Sequence, residues 1–452
     1  MNTFLIWRTK YVSETHFTLF IGAIVGILSG LAAVLLKSMV HFIQNSLAED
    51  VFFVEDYDYA LVFYPIIGLL LTVFLAKFVF VGHKFGYGIT SILDSIANRK
   101  GKVAKDNMYS HMLMSAVTVA FGGSTGLEAS MVTTGGALGS NVGSVFYLTK
   151  KSRNLLIGCG VAGAISAIFN APVGGVIFAL EVVLVETRIS QIIPILIASV
   201  SAKLVSMILL TEEILFYFHL KDDFLTSDVI YCIALGVLCG LLSLYIVFVV
   251  RKVDKIASKI DNAYVRAICG GLVLSVIIIW FPPIYGEGYG LIKSFLNGNE
   301  FHVFYRNPFF DELPQDWVFI GYVFLVGMAK VTAAAITRGA GGSGGIFAPS
   351  LFTGGVLGFV FARTVNELGL GHISESNFTL IGMCGAMSGV QYAPLSAIFL
   401  IAELTSGYEL FMPLMLVSAI TFITVSYFEP HSIYTKDLVA SGNLVNGNQD
   451  KK

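Results

Sequence analysis

Long apolar runs separated by short polar loops set the pattern of this chain. Phe17–Leu36, Ala60–Val81, Val229–Val250, Ala267–Trp280 and Trp317–Ile336 read as spans. Most reach the about 20 residues a helix needs to cross a bilayer. A second group is shorter and interrupted by glycine or proline: Met108–Phe121, Met131–Phe146, Leu155–Phe169, Pro172–Val185, Phe378–Val390 and Pro394–Leu404. These are expected to re-enter or tilt. Broken backbone at membrane depth survives only inside protein or beside a watery cavity, so the pattern points to a channel or transporter.

Composition sharpens this. The chain has 452 residues, 56% hydrophobic and 13% charged, about half the charge of a soluble domain. It reads as an all-α integral membrane protein, with the lipid bilayer as its first partner. No cleavable signal stands out, because Arg8 and Lys10 precede a run longer than a signal core. The five cysteines sit singly in apolar segments, which argues against a disulfide framework or a metal site. Nothing calls for a cofactor, and the net charge of −2 points to no nucleic-acid partner. Basic clusters lie at Arg99–Lys105, Lys150–Arg153 and Arg251–Lys259, and acidic ones at Glu212-Glu213, Asp222-Asp223 and Asp311-Glu312. By the positive-inside rule the basic loops and both termini face the cytoplasm, most naturally across a plasma membrane.

An internal repeat organises the glycines. Gly122-Gly123-Ser124-Thr125-Gly126 lies 219 residues before Gly341-Gly342-Ser343-Gly344-Gly345, and Thr134–Gly139 keeps that register with Thr353–Gly358. Ala171-Pro172 with Glu181 matches Ala393-Pro394 with Glu403 at an offset of 222, which Gly163 and Gly385 share. The boundaries follow: 1–16 an N-terminal cytoplasmic segment, 17–228 and 229–438 the two repeats, and 439–452 a short tail. Glycines let backbone N–H groups approach a ligand, and a helix start carries unpaired N–H groups and positive partial charge. Two such starts meeting near the midplane would bind an anion without lysine or arginine and release it readily.

The same glycines fit two other readings. Both glycine stretches fit a Gly-x-Ser-x-Gly nucleophile pattern, so an intramembrane serine protease using Ser124 or Ser343 is an alternative; His111 would have to be its base. A nucleophile gives no reason for the pattern to recur in both halves. The glycines could also serve helix packing alone.

Gly344–Pro349, Phe169–Pro172 with Glu181, and Tyr392–Leu395 with Glu403-Leu404-Thr405 resemble the CLC family of chloride channels and chloride/proton exchangers, over about Ile21 to Leu438. The resemblance implies two inverted-topology repeats of tilted and broken helices, about eighteen in all. It also implies a homodimer joined through helices near 172–211 and 394–428, with one anion pathway per subunit. The family's gate motif reads Gly126-Leu127-Glu128-Ala129-Ser130 here; Glu128 is kept, and the arginine, second glycine and proline are not. Glu128 is the implied gate, its alternative a helix cap. Gly126, Leu127, Ala129, Ile346, Phe347 and Ala348 would bind the anion.

Other positions depart from the family. Its inner-mouth serine motif reads Gly86-Tyr87-Gly88, which puts a tyrosine hydroxyl on a longer arm. Tyr434 resembles the tyrosine that closes the pathway from the other side; its alternative is an interfacial anchor. The second glutamate of many exchangers is Val182 here, and the acid of the preceding short helix is Leu93. Glu181 is expected to be structural and His111 a core histidine. Passive chloride conduction, weak proton coupling and stoichiometric chloride/proton antiport all stay open, with Val182 leaning toward the first. The polar tail Ser441–Lys452 is too short for a nucleotide-sensing domain pair of about 120–150 residues.

Overall fold

The computed structural model describes residues 11, 13–48, 63–80, 88–184, 191–210, 224–298, 316–405 and 407–436. Sixteen α-helices occur among them. The first half holds α1 (Glu14–Ala48), α2 (Tyr64–Phe74), α3 (Gly88–Asn98), α4 (Ser110–Ala120), α5 (Glu128–Val145), α6 (Lys150–Phe169), α7 (Pro172–Phe178) and α8 (Ile192–Leu209). The second holds α9 (Val229–Ala257), α10 (Ala263–Trp280), α11 (Tyr289–Asn297), α12 (Asp316–Gly339), α13 (Phe347–Glu367), α14 (Glu375–Gln391), α15 (Pro394–Leu404) and α16 (Phe411–Phe428). Eight helical stretches are long and apolar enough to cross a membrane. The protein is a multi-pass integral membrane protein.

Several segments differ from expectation. Leu155–Phe169 belongs to an unbroken 20-residue helix, and Met131–Phe146 and Phe378–Val390 to unbroken helices of 18 and 17 residues. Their glycines are contact points, not breaks. A Cβ at Gly139 would stand 2.0 Å from the Leu156 carbonyl of α6, and one at Gly358 would stand 1.9 Å from the Phe378 carbonyl of α14. These bare surfaces let α5 pack on α6, and α13 on α14, backbone against backbone. Conversely, the described part of the Ala60–Val81 run is short: α2 passes at Leu75 into one π-helical turn ending at Val79. The segments that stay short are Ser110–Ala120, Pro172–Val183 and Pro394–Leu404.

The halves grip each other through matched exchanges. Glu181 accepts the N–H groups of Leu395 and Ser396 at 3.1 and 2.7 Å, capping α15, and the Ser396 hydroxyl at 2.6 Å. Glu403, on α15, accepts the N–H groups of Val173 and Gly174 at 3.1 and 2.7 Å, capping α7. Each acid finishes the proline-started helix of the other half, where orphan N–H groups and the helix dipole favour a carboxylate. The reading of Glu181 as structural fits this contact. Glu181→Ala leaves two backbone donors and one hydroxyl without that acceptor. We expect a loss of about 1–3 kcal/mol, read as a lowered unfolding midpoint of detergent-solubilised protein, with a similar loss in Glu403→Ala.

Candidate functional site

The glycine stretches meet where α5 and α13 begin. Gly126 and Gly345 exchange backbone hydrogen bonds, N–H to carbonyl, at 3.1 and 2.9 Å. The Ser124 N–H donates to Thr337 Oγ1 at 3.1 Å, and the Ser343 N–H to Thr118 Oγ1 at 3.0 Å. Ser124 and Ser343, like Thr118 and Thr337, are 219 residues apart, so the repeat extends into side chains that sequence reading did not use. Close approach requires glycine here. A Cβ on Gly345 would lie 2.5 Å from that of Ala129, and a Cβ on Gly126 would lie 2.7 Å from that of Ala348 and 2.0 Å from Glu128 Oε2.

That last distance locates the carboxylate. Glu128 is 1% exposed. Its side chain folds back toward Gly126, between the two helix starts. Oε1 accepts the Tyr289 hydroxyl at 2.9 Å, and the carboxylate also interacts with the backbone N–H groups of Glu128 and Ala348. The N-termini of α5 and α13 thus converge on one buried carboxyl group, where unpaired N–H donors and dipole ends favour an acceptor. Leu127, Ala129, Ile346, Phe347 and Ala348 are all buried around it. The Phe347 ring stacks on Phe169 at 5.2 Å and meets Phe178 edge-on at 6.0 Å, so its side chain is held by the other half. Pro349 falls in the first turn of α13, where its missing N–H has no helical acceptor to lose.

On a second side lie Gly88, Ala129 and Tyr434. A Cβ at Gly88 would come 3.3 Å from that of Ala129, and Thr90 Oγ1 donates to the Tyr434 carbonyl at 3.3 Å. The Tyr434 hydroxyl is buried without a hydrogen-bond partner among the described residues. Gly86 and Tyr87 lie outside the described residues. Val182 sits partly buried against the apolar core in the π-helical turn that follows α7, and Leu93 packs against the same core.

Three residues beside Glu128 were missed. Tyr289 belongs to Gly288-Tyr289-Gly290, which repeats Gly86-Tyr87-Gly88 at an offset of 202 and could have been found that way. Glu287 Oε1 accepts the Leu127 N–H at 3.4 Å. Lys330 of α12 is 0% exposed and donates from Nζ to the Ile284 and Gly286 carbonyls at 3.1 and 2.6 Å. Its ammonium also lies 5.3 Å from the centre of the Phe352 ring and within electrostatic reach of Glu287 and Glu128. A lysine therefore stands near the two helix starts, with its hydrogen bonds going to the Ile284 and Gly286 carbonyls. A lysine inside an apolar span was the overlooked signal.

The protease alternative finds no support in the geometry. Ser124 Oγ donates to the Ile284 carbonyl at 2.8 Å. His111 lies in the first turn of α4, and Ser124 follows the far end of that helix.

Helix starts converging on a buried carboxylate, within paired halves of a membrane bundle, define a membrane protein built to handle anions. Residues 68–426 match the family described as Voltage gated chloride channel, and the chain belongs to that family. A ClcB-like chloride channel protein of Ralstonia nicotianae is 26% identical over 358 residues, covering 78% of this chain and 79% of that one. The voltage-gated ClC-type chloride channel ClcB of Escherichia coli is 26% identical over 329 residues, 71% of this chain and 73% of that one. Among solved structures, a slow cyanobacterial chloride/proton antiporter matches with a TM-score of 0.79 at 19% identity, covering 94% of this chain and 97% of that one. A CLC-type fluoride/proton antiporter matches at 0.74 and 20%, covering 93% and 97%. The fold is therefore of CLC type. The protein functions in CLC-family anion transport, and members of this family are channels or transporters, not enzymes.

Proposed function

We propose that the protein carries chloride and similar anions along a path through the α5–α13 junction, with Glu128 as its gate and with proton coupling weak or absent. One observation carries the reading: the Glu128 carboxylate lies between the two helix starts, where a transported anion would bind. A charged carboxylate there competes with chloride, and a protonated one does not. Gly126, Leu127, Ala129, Ile346, Phe347 and Ala348 supply the backbone around the anion, and Tyr434 closes the path from the other side; of the inner-mouth positions Gly86, Tyr87 and Gly88, the first two lie outside the described residues. Weak coupling rests on Val182 and Leu93, which can neither take up a proton nor hydrogen-bond to one. A bare charge does not cross apolar protein cheaply.

Residues 17–228 and 229–438 form the two repeats. The working unit is a homodimer through the helices near 172–211 and 394–428, in a plasma membrane, with both termini cytoplasmic. The outward apolar residues Leu196, Val200 and Leu204 on α8, and Met412 and Met415 on α16, suit that contact.

Stoichiometric antiport is the second reading, favoured by the antiporters named among the structural matches. Purified protein in liposomes under a chloride gradient decides. Chloride efflux with no matching internal pH change is expected. Stoichiometric proton uptake that persists with the voltage clamped by a potassium ionophore, and disappears in Glu128→Gln, would establish the antiporter.

A further inference from the structure

The Glu128 pocket contains a second acid that the family's gate motif does not include. We propose that Glu287 is a positioning residue of the gate: its charge sets the pH at which Glu128 is released, which rests on Glu128 being the gate. Glu287 accepts the N–H of Leu127, the residue immediately before Glu128, at 3.4 Å. Its loop leads directly into α11, whose first residue, Tyr289, donates its hydroxyl to Glu128 Oε1 at 2.9 Å. Lys330 ties that loop down through the carbonyls of Ile284 and Gly286. Glu128 is fully buried while Glu287 is half-buried.

Two carboxylates in electrostatic contact, one of them bonded to the residue next to the other, do not titrate independently; the protons belong to the pair. A charged Glu287 disfavours a second negative charge on Glu128, and so helps the gate take up its proton. The groups facing Glu287 are Glu128 from α5, Lys330 from α12 and Tyr289 from the start of α11. From α1, the neutral amide of Gln44 comes within 3.9 Å of the Cβ position of Gly286. Tyr285 of the same loop donates its hydroxyl to the Ala120 carbonyl at 3.2 Å, at the end of α4. Removing the charge at 287 leaves Lys330 as the uncompensated neighbour of Glu128. Both changes make the charged gate more persistent.

The test is chloride efflux from proteoliposomes as a function of pH, for wild type, Glu287→Gln, Glu287→Asp and Glu287→Ala, each with Glu128 and with Glu128→Gln. Glu287→Gln keeps an acceptor for the Leu127 N–H, so a purely structural cap would leave the profile in place. We expect its midpoint to move toward acid by on the order of one pH unit. Glu287→Ala should move the same way, and Glu287→Asp should stay near wild type. If Glu287→Gln fails to assemble, Glu287→Ala serves as the neutral variant. In the Glu128→Gln background no variant should shift the profile. An unmoved midpoint in the neutral variants, or an equal shift without Glu128, overturns the inference. If Glu128→Gln alone keeps the wild-type profile, the gate assignment itself has failed, which is a separable outcome.

Discussion

Glu128→Gln should remove most of the pH dependence of anion flux and all of any proton coupling. The wild-type carboxylate lies against Gly126, interacts with the N–H groups of its own residue and Ala348, and accepts the Tyr289 hydroxyl. Charge is what lets it compete with chloride for donors at two helix starts. Glutamine keeps the length and one acceptor oxygen, but its neutral amide gives no net attraction to those dipoles. Flux at neutral pH should rise to the acid-pH level of the wild type. Chloride efflux from liposomes across a pH series measures this directly, and a mutant that retains the wild-type profile removes Glu128 from the role.

Gly126→Ala should have a related effect by a steric route. The added methyl would lie 2.0 Å from Glu128 Oε2, 3.0 Å from its Cδ and 2.7 Å from the Ala348 Cβ. The carboxylate is the end of a flexible side chain and can leave, whereas Ala348 is fixed in the first turn of α13. The cheaper response is for Glu128 to vacate its place, so neutral-pH flux should rise several-fold toward that of Glu128→Gln. The strain against Ala348 should also lower stability by about 1–3 kcal/mol. Chloride efflux at neutral pH and thermal unfolding in detergent separate the two effects. Unchanged flux with lowered stability would mean that the backbone yields before the gate does.

The repeat was legible because its two ends are built from the same bonds. Gly126 and Gly345 bond to each other, whereas Ser124 and Ser343, like Glu181 and Glu403, each make the matching bond to a residue of the opposite half. Glu128 was legible for another reason: the family resemblance carries its gate onto this position, with a helix cap as the alternative. Lengths were less legible. Glycine signals a break in a soluble helix, yet in α5, α6 and α14 it marks where backbones touch, and sequence alone does not separate the two. Glu287 and Lys330 escaped notice because their meaning lies in placement. One is in a loop between helices and the other inside α12, and only the folded chain brings them to Glu128. Tyr87, in which the departure from the family is clearest, lies outside the described residues.

The exchanged caps on α7 and α15 bear on ancestry. A single half-length chain inserted alone would leave its proline-started helix uncapped and its glutamate without a helix to cap. Two copies inserted in opposite directions would satisfy both needs at once, each lending its acid to the other. Glu181 and Glu403 still make that trade within one polypeptide. A founding gene of half this length could therefore have worked only as a pair of antiparallel copies. In a chain made by fusing two such copies, loss of either glutamate would leave one proline-started helix without its cap.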